Sequence, residues 1–406
     1  MPRLFVHFTF ILFILTALSG VLMRSFPFYP GISVPYPNIL HAHSHLAILG
    51  WAFLGVFIVF LFISWPNIKQ NKEAIALTCT LFVISLFMFA AFIYQGYGAV
   101  SIILSTLHIF AEYWAAIFIY RHIDKKTAKL TMANSFIKGA LIALVISSAG
   151  PYALAIISAN GLKDSYFFDM AIYFYLHFQY NGWLTLFLFG LFILLLQDKN
   201  IQFRSNLLTI GFWLYFIALF PGYFLSVLWA DLGSLAETIS IIGSVGQWAG
   251  VLCILLAVKQ VWKKIIPSFS KLTIGCIWIS LVLLLGKSTM ELGLIFPSLA
   301  QLVYETRSLV IGYLHFTLLG FISIFILTQF QMTGIIQSNR HTINAFIIFF
   351  IGFILNELLL FYQAFTEWFN RISPPYYTQN LLAASLLLLV GLIYLWISSR
   401  KNYRMN

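Results

Sequence analysis

The sequence predicts an all-α, polytopic membrane protein with about 12 transmembrane helices in three parallel four-helix repeats. Three observations support this fold class. Hydrophobic residues make up 61% of the 406 residues and charged residues only 9%, a composition too apolar for a water-soluble domain. Apolar runs of about 20 residues, the length that crosses a bilayer core, recur along the whole chain. A histidine–glycine motif also returns at nearly equal intervals, as expected for internal repeats.

Twelve apolar runs define the predicted helices, and polar loops separate them. Their predicted bounds, in chain order, are 4–23, 38–64, 75–95, 98–120, 136–159, 166–196, 206–229, 236–261, 272–297, 308–331, 343–365 and 378–398. The first run lacks a small-residue cleavage site, so it is predicted to be a retained helix and not a signal peptide. We predict a single integral membrane domain over 1–406, with repeats of roughly 4–120, 136–261 and 272–398.

Lysine and arginine residues are distributed unevenly between the two sides of the predicted membrane domain. One side carries Arg3, Lys69, Lys72, Arg121, Lys125, Lys126, Lys129, Lys199, Arg204, Lys259, Lys263, Lys264, Lys271, Arg340, Arg400, Lys401 and Arg404. The other side carries only Arg24, Lys163, Arg307 and Arg371. Because basic loops stay in the cytoplasm, we predict a multi-pass protein of the cell inner (cytoplasmic) membrane with both termini cytoplasmic. These loops also account for the net charge of +11, so the bilayer and not nucleic acid is the predicted partner.

Three copies of a histidine motif mark the predicted repeats. HLAILGW begins at His45, HFQYNGW at His177 and HFTLLGF at His315, and each reads His, four residues, Gly, then Trp or Phe. The second copy follows the first by 132 residues, and the third follows the second by 138 residues. The copies lie on predicted helices two, six and ten. Because four helices return the chain to the same face, the three histidines are predicted to share one layer in the outer half of the bilayer.

The histidine carries the chemistry of each motif, because an imidazole in hydrocarbon needs partners for its ring nitrogens. Neutral imidazole is a common ligand of haem iron, copper and zinc. The matched spacing therefore predicts that His45, His177 and His315 bind metal or haem; the alternative is that each is a hydrogen-bonded packing residue. The motif glycine points away from its histidine by about 140° on an α-helix, so we expect it to admit a neighbouring helix.

These motifs and the twelve-helix topology resemble subunit I of the haem-copper oxidase superfamily, which includes the C-family oxidases and the bacterial nitric oxide reductases. The stretch HSHLAILGW is similar to the His-x-His-x-x-x-x-Gly-Trp pattern on helix two of C-family relatives. The resemblance implies a b-type haem held by one histidine on helix two and one on helix ten. It assigns these roles to His45 and His315, with His43 as the alternative to His45. It also implies electron transfer, or redox or gas sensing, with quinol or a redox subunit as partner.

The chain departs from that family at the catalytic centre. Family members that reduce oxygen carry a second histidine on helix ten, two positions from the first, where this chain has Tyr313 and Thr317. His177 matches the helix-six copper ligand, yet helix seven contains neither of the two histidines that complete the copper site. The resemblance therefore implies an incomplete binuclear centre and argues against copper and full oxygen reduction. The sequence leaves open whether the chain is an oxidoreductase and which family position His315 fills.

Charged and paired residues within the predicted helices add two further hypotheses. GKSTMELG on helix nine places Lys287 and Glu291 one turn apart, which predicts either a self-neutralising ion pair or a proton or quinone site. His41 and His45 are four residues apart on helix two, a spacing that suits a small copper or zinc site; the favoured alternative is that His41 and His43 lie in the membrane interface and bond to water or lipid headgroups.

Two other families remain as alternatives. HAH at 41–43 is compatible with the NnrS family of haem- and copper-containing membrane proteins, although Ser44 stands where that family usually has an acidic residue. Twelve helices are also common in secondary transporters without haem. Those transporters usually show two six-helix halves, whereas the motif here recurs every four helices.

Overall fold

The chain is an all-α multi-pass membrane protein, which confirms the predicted fold class. The computed structural model describes residues 1–68, 71–123, 131–203, 205–369, 371 and 375–401. Within these residues, twelve helices are long and apolar enough to cross a membrane, and no β-strand is present. Several basic residues of the orientation prediction lie outside the described residues: Lys69, Lys125, Lys126, Lys129, Arg204 and Arg404.

The observed helices follow the predicted runs closely. Numbered α1 to α12, they are Leu4–Ser25, Tyr36–Asn67, Asn71–Gln95, Ala99–His122, Met132–Ala159, Tyr166–Asp198, Leu207–Ser226, Ser234–Ser268, Lys271–Gly293, Arg307–Met332, Arg340–Trp368 and Tyr377–Ser399. The largest difference is at the end of α8, which was predicted at residue 261 and is observed at Ser268. The helix continues through Lys263 and Lys264 because lysine is a good helix former, although these charged residues end the apolar run.

Three of the described helices contain a π-helical segment, and each segment begins at or directly after a motif histidine. The segments are Leu46–Ala52 after His45, His177–Leu184, and Phe316–Ser323 after His315. In a π-helix the backbone bonds join residues five apart, so residues five apart lie one turn above each other. The motif glycine therefore lies near the face of its histidine, and the expected angle of about 140° is wrong because the helix is not α-helical there.

Hydroxyl side chains support two of the π-helical segments in the same register. Thr185 Oγ1 donates to the carbonyl of Tyr180 at 2.6 Å, and Ser323 Oγ donates to the carbonyl of Leu318 at 2.7 Å. Each hydroxyl lies eight residues after its motif histidine, where the first copy has Phe53. A wider turn disturbs the backbone hydrogen bonds, and a buried carbonyl needs another donor. The sequence repeat thus has a repeated local structure.

The helices divide into two compact units. Unit 1 comprises Met1–Ile123 and Ile326–Asn406, and unit 2 comprises Asp124–Phe325. In unit 1, α1 packs on α2 and α12, α3 packs on α2 and α4, and α11 packs on α12. In unit 2, α5 packs on α6, α7 packs on α8, and α9 packs on α8 and α10. The motif histidine of α2 therefore belongs to unit 1, and those of α6 and α10 belong to unit 2.

We expect Gly182→Ala to destabilise unit 2 by about 1–3 kcal/mol, because overpacked cores lose stability on that scale. A Cβ atom at Gly182 would lie 2.5 Å from Ala143 Cβ of α5 and 3.1 Å from Leu219 Cδ2 of α7. The measurement is chemical unfolding in detergent followed by circular dichroism. Gly275→Ala on α9 is the matched control, because no atom lies within 4 Å of its added Cβ. Equal stability of the two variants would contradict the packing role of the motif glycine.

Candidate functional site

A buried ion pair lies on α9 in unit 2. Lys287 Nζ lies 2.7 Å from Oε2 and 2.8 Å from Oε1 of Glu291. The Lys287 side chain is 1% exposed and that of Glu291 is 17% exposed. Taking two charges out of water is costly, so a buried pair is stable only when further hydrogen bonds satisfy its remaining polar atoms. The structure thus contains the ion pair that the sequence predicted, and its remaining partners come from other helices.

Asn181 of α6 and Tyr313 of α10 complete this pair. Lys287 donates to Asn181 Oδ1, and Asn181 Nδ2 donates to Glu291 Oε1 at 3.0 Å. The Tyr313 hydroxyl donates to the same carboxylate oxygen. The three protons of the ammonium therefore have three acceptors, two from Glu291 and one from Asn181. The result is a hydrogen-bonded cluster that joins α6, α9 and α10.

Two more tyrosines extend the cluster. The ring centroid of Tyr180 lies 5.5 Å from Lys287 Nζ, a cation–π distance, and 6.1 Å from the ring centroid of Tyr313. The Tyr215 hydroxyl of α7 donates to the Asn181 carbonyl at 2.9 Å. We call Lys287, Glu291, Asn181, Tyr180, Tyr313 and Tyr215 the polar cluster. Its phenols and amide surround both charges with oriented dipoles.

His177 lies beside the polar cluster, and both of its ring nitrogens are hydrogen-bonded. Nε2 lies 2.8 Å from the carbonyl of Leu219, so Nε2 carries the proton and donates. Nδ1 of the neutral ring is then an acceptor, at 3.3 Å from both Asn181 Nδ2 and Ser226 Oγ. This arrangement favours a hydrogen-bonding role for His177 over the metal-ligand role predicted from its motif.

His43 and His45 of α2 have different surroundings within unit 1. His43 Nδ1 lies 2.9 Å from the carbonyl of Thr16 and 3.1 Å from Ser19 Oγ. Because a carbonyl only accepts, His43 Nδ1 carries the proton and Nε2 carries the lone pair. The ring of His45 instead stacks on Phe92 at 4.3 Å, and its Nε2 lies 3.0 Å from the Tyr97 hydroxyl. His43 therefore shows the pattern that is usual for a metal-bound histidine: one ring nitrogen donates to a carbonyl, and the other carries the lone pair.

His315 of α10, in unit 2, shows the same hydrogen-bond pattern as His43. Its Nδ1 lies 3.0 Å from the carbonyl of Ile311, so Nδ1 donates and Nε2 carries the lone pair. Two residues further on, the buried hydroxyl of Thr317 has no hydrogen-bond partner among the described residues. Within the same residues, no group of three His, Cys, Asp or Glu side chains is arranged to hold a metal ion.

A cavity of about 300 Å³ adjoins the polar cluster between α6 and the start of α10. Tyr180 and Tyr313 line its inner end, and Asp169 and Tyr304 line its outer end. The Tyr304 hydroxyl donates to Asp169 Oδ2 at 2.8 Å. Burial, and then the Asp169 carboxylate, raise the pKa of Tyr304 to about 12, so its hydroxyl remains a donor at neutral pH. The cavity therefore has hydrogen-bonding groups at both ends.

Sequence reasoning missed Asn181, Tyr180, Tyr313 and Tyr215. Asn181 and Tyr180 lie inside the second motif copy, HFQYNGW, whose histidine and glycine alone carried the prediction. The available signal was the polar triplet Gln–Tyr–Asn in the middle of an apolar helix, because polar residues there are costly and usually find partners. In the sequence, Tyr313 stands out only as one of the two positions where the oxidase family would have its second histidine on helix ten.

The sequence matches no family model and no curated protein. The resemblance to oxidase subunit I therefore depends on the motifs and the helix order alone.

We expect Lys287→Met to destabilise the protein by about 3–5 kcal/mol, because it leaves the Glu291 charge buried without its partner. The double variant Lys287→Met/Glu291→Gln should lose much less than the two single variants together. Unfolding in detergent measures all three. Arg121→Ala is the control: the Arg121 side chain is 62% exposed and lies 3.7 Å from Glu73, so a loss below about 1 kcal/mol is expected. Additive single and double effects would show that the pair is not coupled.

Proposed function

We propose that the protein is a haem-binding membrane protein of the oxidase subunit I type, which transfers electrons or senses redox state or a gas and is not a full oxygen reductase. The observation that supports this most directly is the π-helical segment at each of the three histidine motifs. Such segments are rare and frequently occur at functional sites. Their coincidence with every motif copy supports the histidine motifs as the functional part of the molecule.

The surroundings of His315 fit an axial haem ligand. Metal-bound histidines usually donate their second ring nitrogen to a carbonyl or carboxylate, as His315 does to Ile311. The buried Thr317 hydroxyl nearby needs a partner that the described protein groups do not supply. A bound b-type haem would supply a one-electron couple. On α2, the hydrogen bond of His43 makes this residue at least as good a candidate ligand as His45.

Copper does not fit at His177. Its Nε2 proton is held by the Leu219 carbonyl, and its Nδ1 faces the donors of Asn181 and Ser226. A metal would have to displace these hydrogen bonds, and α7 offers no histidine to assist it. The residues beside His177 instead hold the Lys287–Glu291 ion pair, and Asn181 bonds to both charged side chains.

A secondary transporter without haem is the second candidate. The polar cluster favours it, because buried charges in membrane spans often mark ion or proton pathways. It differs from the haem protein in one directly measurable property, the visible absorption spectrum.

We also propose the inner membrane as the location, both termini in the cytoplasm, and quinol or a redox subunit as the electron-transfer partner. The loop charges support the orientation. The many exposed large apolar side chains on the spanning helices are consistent with contact with lipid.

We expect the purified protein to show a b-type haem in its reduced-minus-oxidised spectrum. His315→Ala should remove most of that signal, because it removes an axial nitrogen, while the protein still inserts in the membrane. His43→Ala and His45→Ala, measured as two separate variants, identify the second ligand, since only one of them should remove the low-spin signal. His177→Ala should keep at least about half of the wild-type haem, because its nitrogens already have protein partners.

His341→Ala is the matched control for this series. The His341 side chain is exposed and bonds only Tyr394 at 2.9 Å among the bonds described for it, so full haem content is expected. Wild-type haem in every histidine variant, or a purified protein with no haem, would overturn the haem proposal and favour the transporter.

A reporter that is active only in the cytoplasm should be active when it is fused after Asn406. The basic loops predict this result, because they hold the even-numbered connections between helices in the cytoplasm. The same reporter fused after Gly161, in the loop between α5 and α6, is the opposite control and should be inactive. Exchange of the two results would reverse the orientation.

A further inference from the structure

The cavity in unit 2 follows one face of α6. Its wall includes Asp169, Tyr173, Leu176 and Tyr180, which recur at three- and four-residue spacing. From Asp169 to Tyr180 the helix rises about 16 Å at about 1.5 Å per residue. The cavity is therefore an elongated space alongside a membrane-spanning helix, and it extends from the helix end toward the polar cluster.

The middle of the cavity is apolar. Ile172 and Leu176 of α6 face Val310 and Leu314 of α10 across it. Water occupies a cavity when two to four polar partners are available for each molecule, and apolar cavities stay dry. A small number of polar groups at the ends of an apolar space is instead typical of a site for an organic ligand. Its volume of about 300 Å³ is at the lower end of the range for such sites.

Aromatic rings form much of the wall. Tyr173, Tyr180, Tyr304 and Tyr313 all contribute. Tyr304 is held in place from behind by Trp229, whose ring stacks on it at 3.9 Å with an interplanar angle of 6°. Aromatic pairs gain energy from stacked and edge-to-face contacts, so these rings favour a flat aromatic ligand over a flexible aliphatic chain.

The inner end of the cavity offers a hydrogen-bonded chain to a ligand oxygen. Tyr180 and Tyr313 line the cavity with their rings in edge-to-face contact, and the Tyr313 hydroxyl donates to Glu291. The outer end offers the Tyr304 hydroxyl and the Asp169 carboxylate. Since α6 and α10 are both long and apolar enough to cross a membrane, an apolar cavity between them suits a lipid-soluble ligand.

We infer that this cavity binds the hydroxylated aromatic headgroup of a membrane-soluble quinol. One headgroup oxygen lies at Tyr180 and Tyr313, and the ring lies in the apolar middle of the cavity, short of Asp169 and Tyr304. This inference deepens the proposed function by locating the site of its electron donor. Binding itself needs no haem, so the two proposals can fail separately.

The test is equilibrium dialysis of the purified full-length protein with ubiquinol-1, kept reduced under argon, whose absorbance reports the free concentration. We expect saturable binding. Val310→Trp fills the apolar middle of the cavity and should weaken binding at least about 10-fold, as the loss of about 1.4 kcal/mol implies. Tyr313→Phe removes one hydroxyl and should weaken binding about 2- to 10-fold, the range of a single hydrogen bond.

Two matched controls keep the test specific. Val145→Trp places the same side chain at an exposed position of α5. Tyr152→Phe removes the hydroxyl of an exposed tyrosine in the same unit. Both variants should bind like wild type. Circular dichroism checks the folding of each variant, and Tyr313→Phe carries the test alone if Val310→Trp does not fold.

Two results would each overturn the inference. The first is the absence of saturable binding to the wild-type protein. The second is wild-type binding by both Tyr313→Phe and Val310→Trp, or by Tyr313→Phe alone if Val310→Trp does not fold. The haem content of the wild-type protein separates the two proposals. Quinol binding by wild-type protein that has no haem contradicts only the proposed function. Haem without quinol binding contradicts only the cavity assignment.

Discussion

A charge in the apolar part of a membrane must be neutralised and hydrogen-bonded by the protein, because no water is available there. Lys287 and Glu291 impose this requirement on unit 2. Their remaining polar atoms are satisfied by Asn181 of α6 and Tyr313 of α10, so the ion pair of one helix constrains the positions of two others. The packing of α6, α9 and α10, the orientation of His177 and the inner wall of the cavity all depend on this constraint.

The π-helical segment of α6 explains how Asn181 and Tyr180 come to face the ion pair. Both residues lie within His177–Leu184, where the wider turn changes the direction of each following side chain. Thr185 binds the carbonyl of Tyr180 and so satisfies a backbone group that the wider turn affects. A local change in backbone winding thus positions the polar groups of a tertiary cluster.

The three motif copies share a backbone device but differ in chemistry. The second copy places polar Gln, Tyr and Asn after its histidine, whereas the first copy has only apolar residues in those positions. In the third copy, the Thr317 hydroxyl is buried without a described partner. Because the backbone is the same and the side chains differ, one copy supports a hydrogen-bonded charge cluster and another presents a ligand-like histidine. The histidines therefore need separate functional interpretations.

The sequence by itself determined the twelve spans, the motif positions and the pairing of Lys287 with Glu291, because hydropathy and helical spacing are local properties. It did not determine the π-helical winding, which brings each motif glycine nearer to the face of its histidine than an α-helix would. Only the tertiary structure brought Asn181 to a charge pair more than one hundred residues away and joined Tyr313 to it. It also decided which imidazole nitrogen carries the proton on His43, His177 and His315, since that depends on the carbonyl each ring meets.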